Sequence, residues 1–184
     1  MVENNQSDIS IELFNNLSKK YNLIPVFKVL EKGKKTPVSV YKNLDNHSNT
    51  FLLESVEGNK NFARYSFIGL NPNKIIKTGD KEEFKKVDPL DKLEKQLENI
   101  KTPKLESLPE FNSGAVGFIS YEAVSYFEPS VKKIENQTSY FPESIFFITS
   151  SLIIFDNEEN KIFIISHADL RGSDNFEKEY KKSL

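Results

Sequence analysis

Two periods of hydrophobic recurrence alternate along this chain, and the changes of period mark its elements. Ile9, Leu13, Phe14 and Leu17 recur at helical spacing, with Ser7 or Asp8 placed to cap, so a first helix is predicted to about Lys20. Leu23–Leu30 reads as a strand in which Pro25 is tolerable only near the start or at a sheet edge. Thr36 followed by Pro37 is a helix start, the hydroxyl capping and the proline taking the first helical position, and that helix runs to about Leu44. Thr50–Asn71 then changes to period two. It predicts two strands folded back on each other, Phe51–Val56 and Phe62–Leu70, with Gly69 suiting a sharp turn. In the first of these Leu52, Glu54 and Val56 face one side, and Phe51, Leu53 and Ser55 the other.

Asn73–Thr78 is expected to add a third strand to this pair, after a turn at Asn71-Pro72 and before one at Gly79-Asp80. Asp88-Pro89 repeats the capping signal, and Leu90, Leu93, Leu97 and Ile100 form an apolar stripe against Lys92, Glu94, Lys95 and Glu98, an amphipathic helix covering a sheet. Residues 101–109 read as a surface loop. Phe111–Ser120 reads as a strand whose Gly114 and Gly117 permit close approach of a neighbour, and Tyr121–Phe127 as a short helix ended by Pro129. The polar run 130–142 reads as a loop. Ile145–Asp156 and Lys161–His167, joined by the acidic turn 157–160, predict a hairpin. Finally, Asp174 or Asn175 starts a helix with Phe176, Tyr180 and Leu184 on one face. No capping glycine and no further element follow it, so residues 172–184 read as the start of a linking helix in a truncated chain. The pattern as a whole predicts an α+β fold, a largely antiparallel twisted sheet with packed helices.

Composition narrows the function classes. In 184 residues the hydrophobic share is 38%, enough for a core, and 25 Lys plus Arg against 27 Asp plus Glu leave a net charge of -2. The signs are interspersed, so no basic field for nucleic acid exists. No apolar run is long enough to span a bilayer, and the polar N-terminus is unlike a signal peptide, which predicts no membrane partner and a cytoplasmic protein. The absence of Cys excludes disulfides and thiolate chemistry.

Few residues carry candidate chemistry. His47 and His167 are isolated from each other and from clustered ligands, so no metal site is expected. The acidic pairs Glu82-Glu83 and Glu158-Glu159 read as solvated. No nucleophile elbow, P-loop or zincin helix is present, and Gly114-Ala115-Val116-Gly117 lacks the third glycine of a dinucleotide fingerprint. No catalytic residue is therefore expected. Glu54 and Ser55, inside an apolar strand, either mark a wet face or line a pocket for a small polar ligand with an apolar body. A buried Glu54 would need a cation, which Arg64 across the hairpin or the ammonium of an amino acid could supply.

The lettering TPVSVYKNL at 36–44, FLLESVEG at 51–58, RYSFIGLNP at 64–72 and GAVGFISYEAVSYFEP at 114–129 resembles the N-terminal domain of anthranilate synthase component I, from about Ile9 into the terminal helix. The component I of aminodeoxychorismate synthase, which makes a folate precursor, shares much of the pattern. LLES followed closely by RYSFIG is the specific part. The resemblance implies a single regulatory domain over residues 1–184, lacking the C-terminal chorismate-binding domain that carries the family's catalytic acids and magnesium ligands. It implies that Leu53, Glu54 and Ser55 contribute half of a feedback site for L-tryptophan, with Arg64 and Tyr65 as possible neighbours. The partners it implies are that C-terminal domain and a glutamine amidotransferase subunit. Alone, this chain is expected to be inactive and to bind tryptophan weakly or not at all. A stand-alone binding module of the same fold is the alternative from another class.

Overall fold

A computed structural model describes residues 8–44, 48–54, 64–131 and 141–184. The chain divides into two compact units, one of Met1–Asn71, Ile100–Ser113 and Ser150–Leu184, the other of Pro72–Asn99 and Gly114–Thr149. Every pairing between described strands is antiparallel. The α+β antiparallel architecture is as the pattern predicts, with the strands shared between two sheets.

The first unit is built on five strands, β1 (Leu23–Glu31), β2 (Phe51–Leu53), β3 (Tyr65–Leu70), β7 (Ser151–Asp156) and β8 (Lys161–Asp169), in the order β1-β8-β7-β3-β2. Pro25 lies on edge strand β1, opposite His167, where its missing N–H is harmless. One side of the sheet carries Phe27, Leu152, Ile154, Phe163 and Ile165, packed with Ile9 and with Phe14 of helix α1 (Ile11–Leu17). The other carries Ile68, Phe155 and Ile162 under helix α2 (Pro37–Lys42). The cap of α1 is a correction: Ser10 accepts from the Leu13 N–H, whereas the Asp8 carboxylate accepts from Val29 N–H at 2.6 Å and is tied to the sheet. Ile9, placed inside that helix by its spacing, precedes it and is fully buried. Thr36 and Ser39 form a reciprocal capping box for α2.

The second unit holds β4 (Lys74–Thr78), β5 (Ala115–Ile119) and β6 (Ser144–Ile148), in the order β4-β6-β5. Helix α3 (Pro89–Leu97), capped by Asp88, places Leu93 and Leu97 on Ile76, Phe146 and Ile148. Two expectations fail here. Asn73–Thr78 does not extend the β2–β3 pair, because β3 is already flanked by β7 and β4 pairs with β6. Ile145–Asp156 is not one strand: the alternation runs on, but the chain leaves one sheet at Thr149 and enters the other at Ser151. Gly117 does serve close packing, since a Cβ there would lie 1.9 Å from the Ile145 carbonyl oxygen. A 3-10 turn at Tyr121–Ala123 leads into α4 (Val124–Phe127).

The terminal helix α5 (Phe176–Ser183) is capped by Asn175, whose side chain accepts from the Lys178 N–H. It belongs to the first unit. Tyr180 is buried there against the ring of Phe14 at 4.9 Å and donates its hydroxyl to the Ile9 carbonyl at 2.9 Å.

Candidate functional site

The residues singled out by pattern cluster on the β2–β3 hairpin. Phe51 pairs with Gly69, Leu52 with Ile68 and Leu53 with Phe67. Cross-strand partners share a face, and alternation adds Tyr65 to the face of Leu53 and Phe67. Phe67 stands edge-on to Phe111 at 5.4 Å and 6.1 Å from the Tyr65 ring, an aromatic row beside the core. Leu53 ends the edge strand and is 47% exposed, unusually open for leucine within a sheet. Glu54 follows it, outside the ladder and exposed. Ser55 lies outside the described residues, as do Val56, Phe62 and His47. Gly69 is needed where it stands, since the Phe51 ring occupies the space a Cβ would fill.

Arg64 does not partner Glu54. Its guanidinium closes on Asp156, the last residue of β7, with Nη2 2.6 Å from Oδ2 and Nε 3.1 Å from both carboxylate oxygens. Glu158 and Glu159 lie at 3.4 and 3.5 Å from the same guanidinium, and its flat face covers the Tyr65 ring at 4.9 Å. The Arg64 carbonyl accepts from the Asn157 N–H. Asp156 is almost wholly buried and also accepts from the Glu158 and Glu159 amides. Burial alone would raise its pKa, but the hydrogen bonds from Arg64 and those amides outweigh it and hold the carboxyl below its ordinary value. Burial, with the charge of Asp156, pushes the Tyr65 hydroxyl up. The acidic turn is exposed, as its sequence predicts, and its Glu158 and Glu159 carboxylates also flank the Arg64 guanidinium. Sequence reasoning singled out Arg64 and missed Asp156, whose one signal was its place at the mouth of that turn.

His167 is the other buried titratable group. Its Nδ1 lies 3.1 Å from the Ser150 carbonyl and its backbone N–H donates to the same oxygen, while Nε2 has no hydrogen-bond partner. Burial lowers its pKa, against the opposing hydrogen bond to Ser150, so the neutral imidazole with Nδ1–H donating is the resident form.

Two concavities of the second unit are lined by described residues. A shallow cleft of about 440 Å³ runs along α3 by Leu90, Leu93 and Leu97. Another of about 690 Å³ is bounded by Phe84, Asp88, Lys92 and Tyr126, with the Lys92 ammonium 3.6 Å above the Phe84 ring. Neither is lined by Leu53, Glu54, Arg64 or Tyr65. Among the described residues no three of His, Asp or Glu gather to hold a metal ion. Nor is any described helix long and apolar enough to cross a membrane.

Comparison with known proteins places this geometry in a lineage. A family model described as chorismate binding enzyme matches residues 48–182. The probable anthranilate synthase component 1 of Schizosaccharomyces pombe is 36% identical over 166 residues, 90% of this chain and 33% of that protein. The anthranilate synthase component 1 of Saccharomyces cerevisiae is 37% identical over 150 residues, 78% of this chain and 29% of that one. That of Synechocystis sp. is 36% identical over 171 residues, 86% and 34%. The chain thus spans about a third of the length of the curated relatives it matches. A crystal structure of anthranilate synthase component I from Streptococcus pneumoniae is similar with a TM-score of 0.48 and 27% identity, over 83% of this chain and 35% of that one.

Proposed function

Because the chain belongs to the chorismate-binding enzyme family, we propose that it is the N-terminal regulatory portion of an anthranilate synthase component I and supplies half of its tryptophan site. The similarity to relatives of that name, across most of this chain and only a third of theirs, carries the reading. It favours an anthranilate-forming enzyme over an aminodeoxychorismate-forming one.

In this reading Leu53, Glu54 and Ser55 are effector contacts, and the chorismate chemistry, with its magnesium, belongs to the rest of a longer cytoplasmic lyase. An amidotransferase subunit supplies its ammonia. The open position of Leu53 and Glu54 at the end of an edge strand supports a site completed by another domain. Arg64 is held by Asp156 and Tyr65 lies beneath it, so both act as support behind the contacts. Tryptophan bound between two domains would favour one arrangement of them, with a coupling of about 1–3 kcal/mol set by its different affinity for the two. The 184-residue chain alone has nothing to couple to and is inactive.

The test is tryptophan inhibition of the full-length enzyme. Ser55→Ala relieves inhibition and leaves uninhibited turnover nearly intact; unchanged inhibition removes Ser55 from the site. Production of anthranilate from chorismate and ammonia by the 184-residue chain would overturn its assignment as a regulatory portion.

A further inference from the structure

The two oxygens of the Asp156 carboxylate divide its partners between them. Oδ1 accepts from the Glu158 and Glu159 amides, both at 3.0 Å, and so shapes the 157–160 turn. Oδ2 takes the Arg64 Nη2 at 2.6 Å, and Nε lies 3.1 Å from each oxygen. An exposed aspartate accepting the same two amides would shape the turn equally well. Yet this side chain is only 2% exposed, at the end of a strand that otherwise reads Ser-Leu-Ile-Ile-Phe. A buried ion pair is often no more stabilising than apolar residues of the same size, so the turn and stability leave the burial of this one unexplained.

What the pair does fix is the surroundings of Tyr65. Asp156 stands directly opposite Tyr65 in the β3–β7 ladder, so the two side chains share one face of the sheet. The guanidinium that Asp156 holds covers the Tyr65 ring at 4.9 Å. Glu158 and Glu159, exposed and at 3.4 and 3.5 Å, lack the two-pronged grip that sets the plane of that guanidinium. On the same face Phe67 follows, 6.1 Å from the Tyr65 ring, and Phe67 is the cross-strand partner of Leu53. Tyr65 is thus a diagonal neighbour of Leu53 across the hairpin, within the reach of an aromatic side chain.

We propose that Asp156 is a positioning residue of the effector site, holding Arg64 on Tyr65 so that the ring is already ordered beside Leu53 before a ligand arrives. The role rests on the reading of Leu53 and Glu54 as effector contacts. Asp156 touches no ligand itself. Its effect is on the ordering that binding would otherwise have to impose on the tyrosine.

Tryptophan inhibition of the full-length enzyme tests this, with each variant normalised to its own uninhibited rate. Asp156→Asn keeps an oxygen for the two turn amides and sets an NH2 group against the guanidinium, so it releases Arg64 selectively. The tryptophan concentration for half-inhibition is expected to rise about three- to tenfold, the effect of having to order one side chain on binding. Arg64→Gln is expected to raise it as much, and the double variant no further than either alone, because Asp156 acts through Arg64. Tyr180→Phe, which removes a buried hydrogen bond on α5 of the same unit, is expected to leave it unchanged. If Asp156→Asn does not fold, Arg64→Gln decides. With the wild type inhibited, an unshifted Arg64→Gln, an additive double variant or an equal shift in Tyr180→Phe overturns the role of Asp156 and leaves the reading of the site standing. A wild-type enzyme that tryptophan does not inhibit removes that reading, and the role of Asp156 with it.

Discussion

Arg64 and Asp156, 92 residues apart in sequence, form a two-pronged ion pair that ties the first residue before β3 to the last of β7. Asp156 is nearly inaccessible and holds two backbone amides besides the guanidinium. Replacing it with alanine leaves those groups with a buried, unmatched surface, and the expected loss of stability is about 1–3 kcal/mol in urea denaturation. Arg64→Lys, which keeps the charge but not the fork, is expected to recover only part of the pairing.

How much of this was legible follows from the range over which each signal acts. Caps are local, so Thr36-Pro37, Asp88-Pro89 and Asn175 marked their helices to within a few residues. The hairpin turn at 157–160 was equally plain. Pairing across the sheet is not local. The apolar alternation from Ile145 to Asp156 is continuous, and only tertiary packing shows that β6 and β7 pair in different sheets. The same holds for the candidate site: the β2–β3 hairpin follows from period two, whereas the end of β2 at Leu53, which leaves Glu54 outside the ladder, does not, and the partner of Arg64 lies too far along the chain for any spacing to reveal.

Acid should loosen the first unit in two steps. His167 is buried neutral, with its folded pKa below the ordinary value of 6.5. The unfolded chain therefore binds a proton that the fold refuses, and stability is full above that value and falls as pH drops below it. The slope from this one group is at most about 1.4 kcal/mol per pH unit. Asp156, also depressed, contributes stability that is present above the ordinary carboxylate value of 3.8 and is lost as pH falls further. Urea midpoints measured against pH should show both windows, and His167→Gln should flatten the upper one alone. A wild-type midpoint that is constant between pH 7 and 5 would rule out the buried neutral imidazole.

Two glycines should respond unequally to one added methyl group. At Gly69 the Cβ meets the Phe51 ring 2.0 Å away, a side chain on an edge strand that can swing aside at a cost of about 1–3 kcal/mol. At Gly117 it meets the Ile145 carbonyl at 1.9 Å, and the backbone of the neighbouring strand cannot yield without breaking the β5–β6 ladder. Gly117→Ala is therefore expected to destabilise more than Gly69→Ala. Adding Phe51→Ala should offset part of the Gly69→Ala loss, so the double variant is less destabilised than the sum of the two single changes. Equal losses for the two glycine variants would contradict this account.

Tyr180 decides whether α5 is part of the first unit or merely leads away from it. Its ring packs on Phe14 and its hydroxyl reaches the Ile9 carbonyl, so the helix contributes both apolar area and a buried hydrogen bond. Tyr180→Phe removes only the bond and is expected to cost about 1 kcal/mol. Tyr180→Ala also empties the space against Phe14 and should cost about 3–5 kcal/mol. Lys181 and Glu177, an exposed pair one turn apart on the same helix, contribute little, and Lys181→Ala should leave the urea midpoint close to that of the wild type. If all three variants unfold at the wild-type urea concentration, α5 does not stabilise the unit and only extends from it.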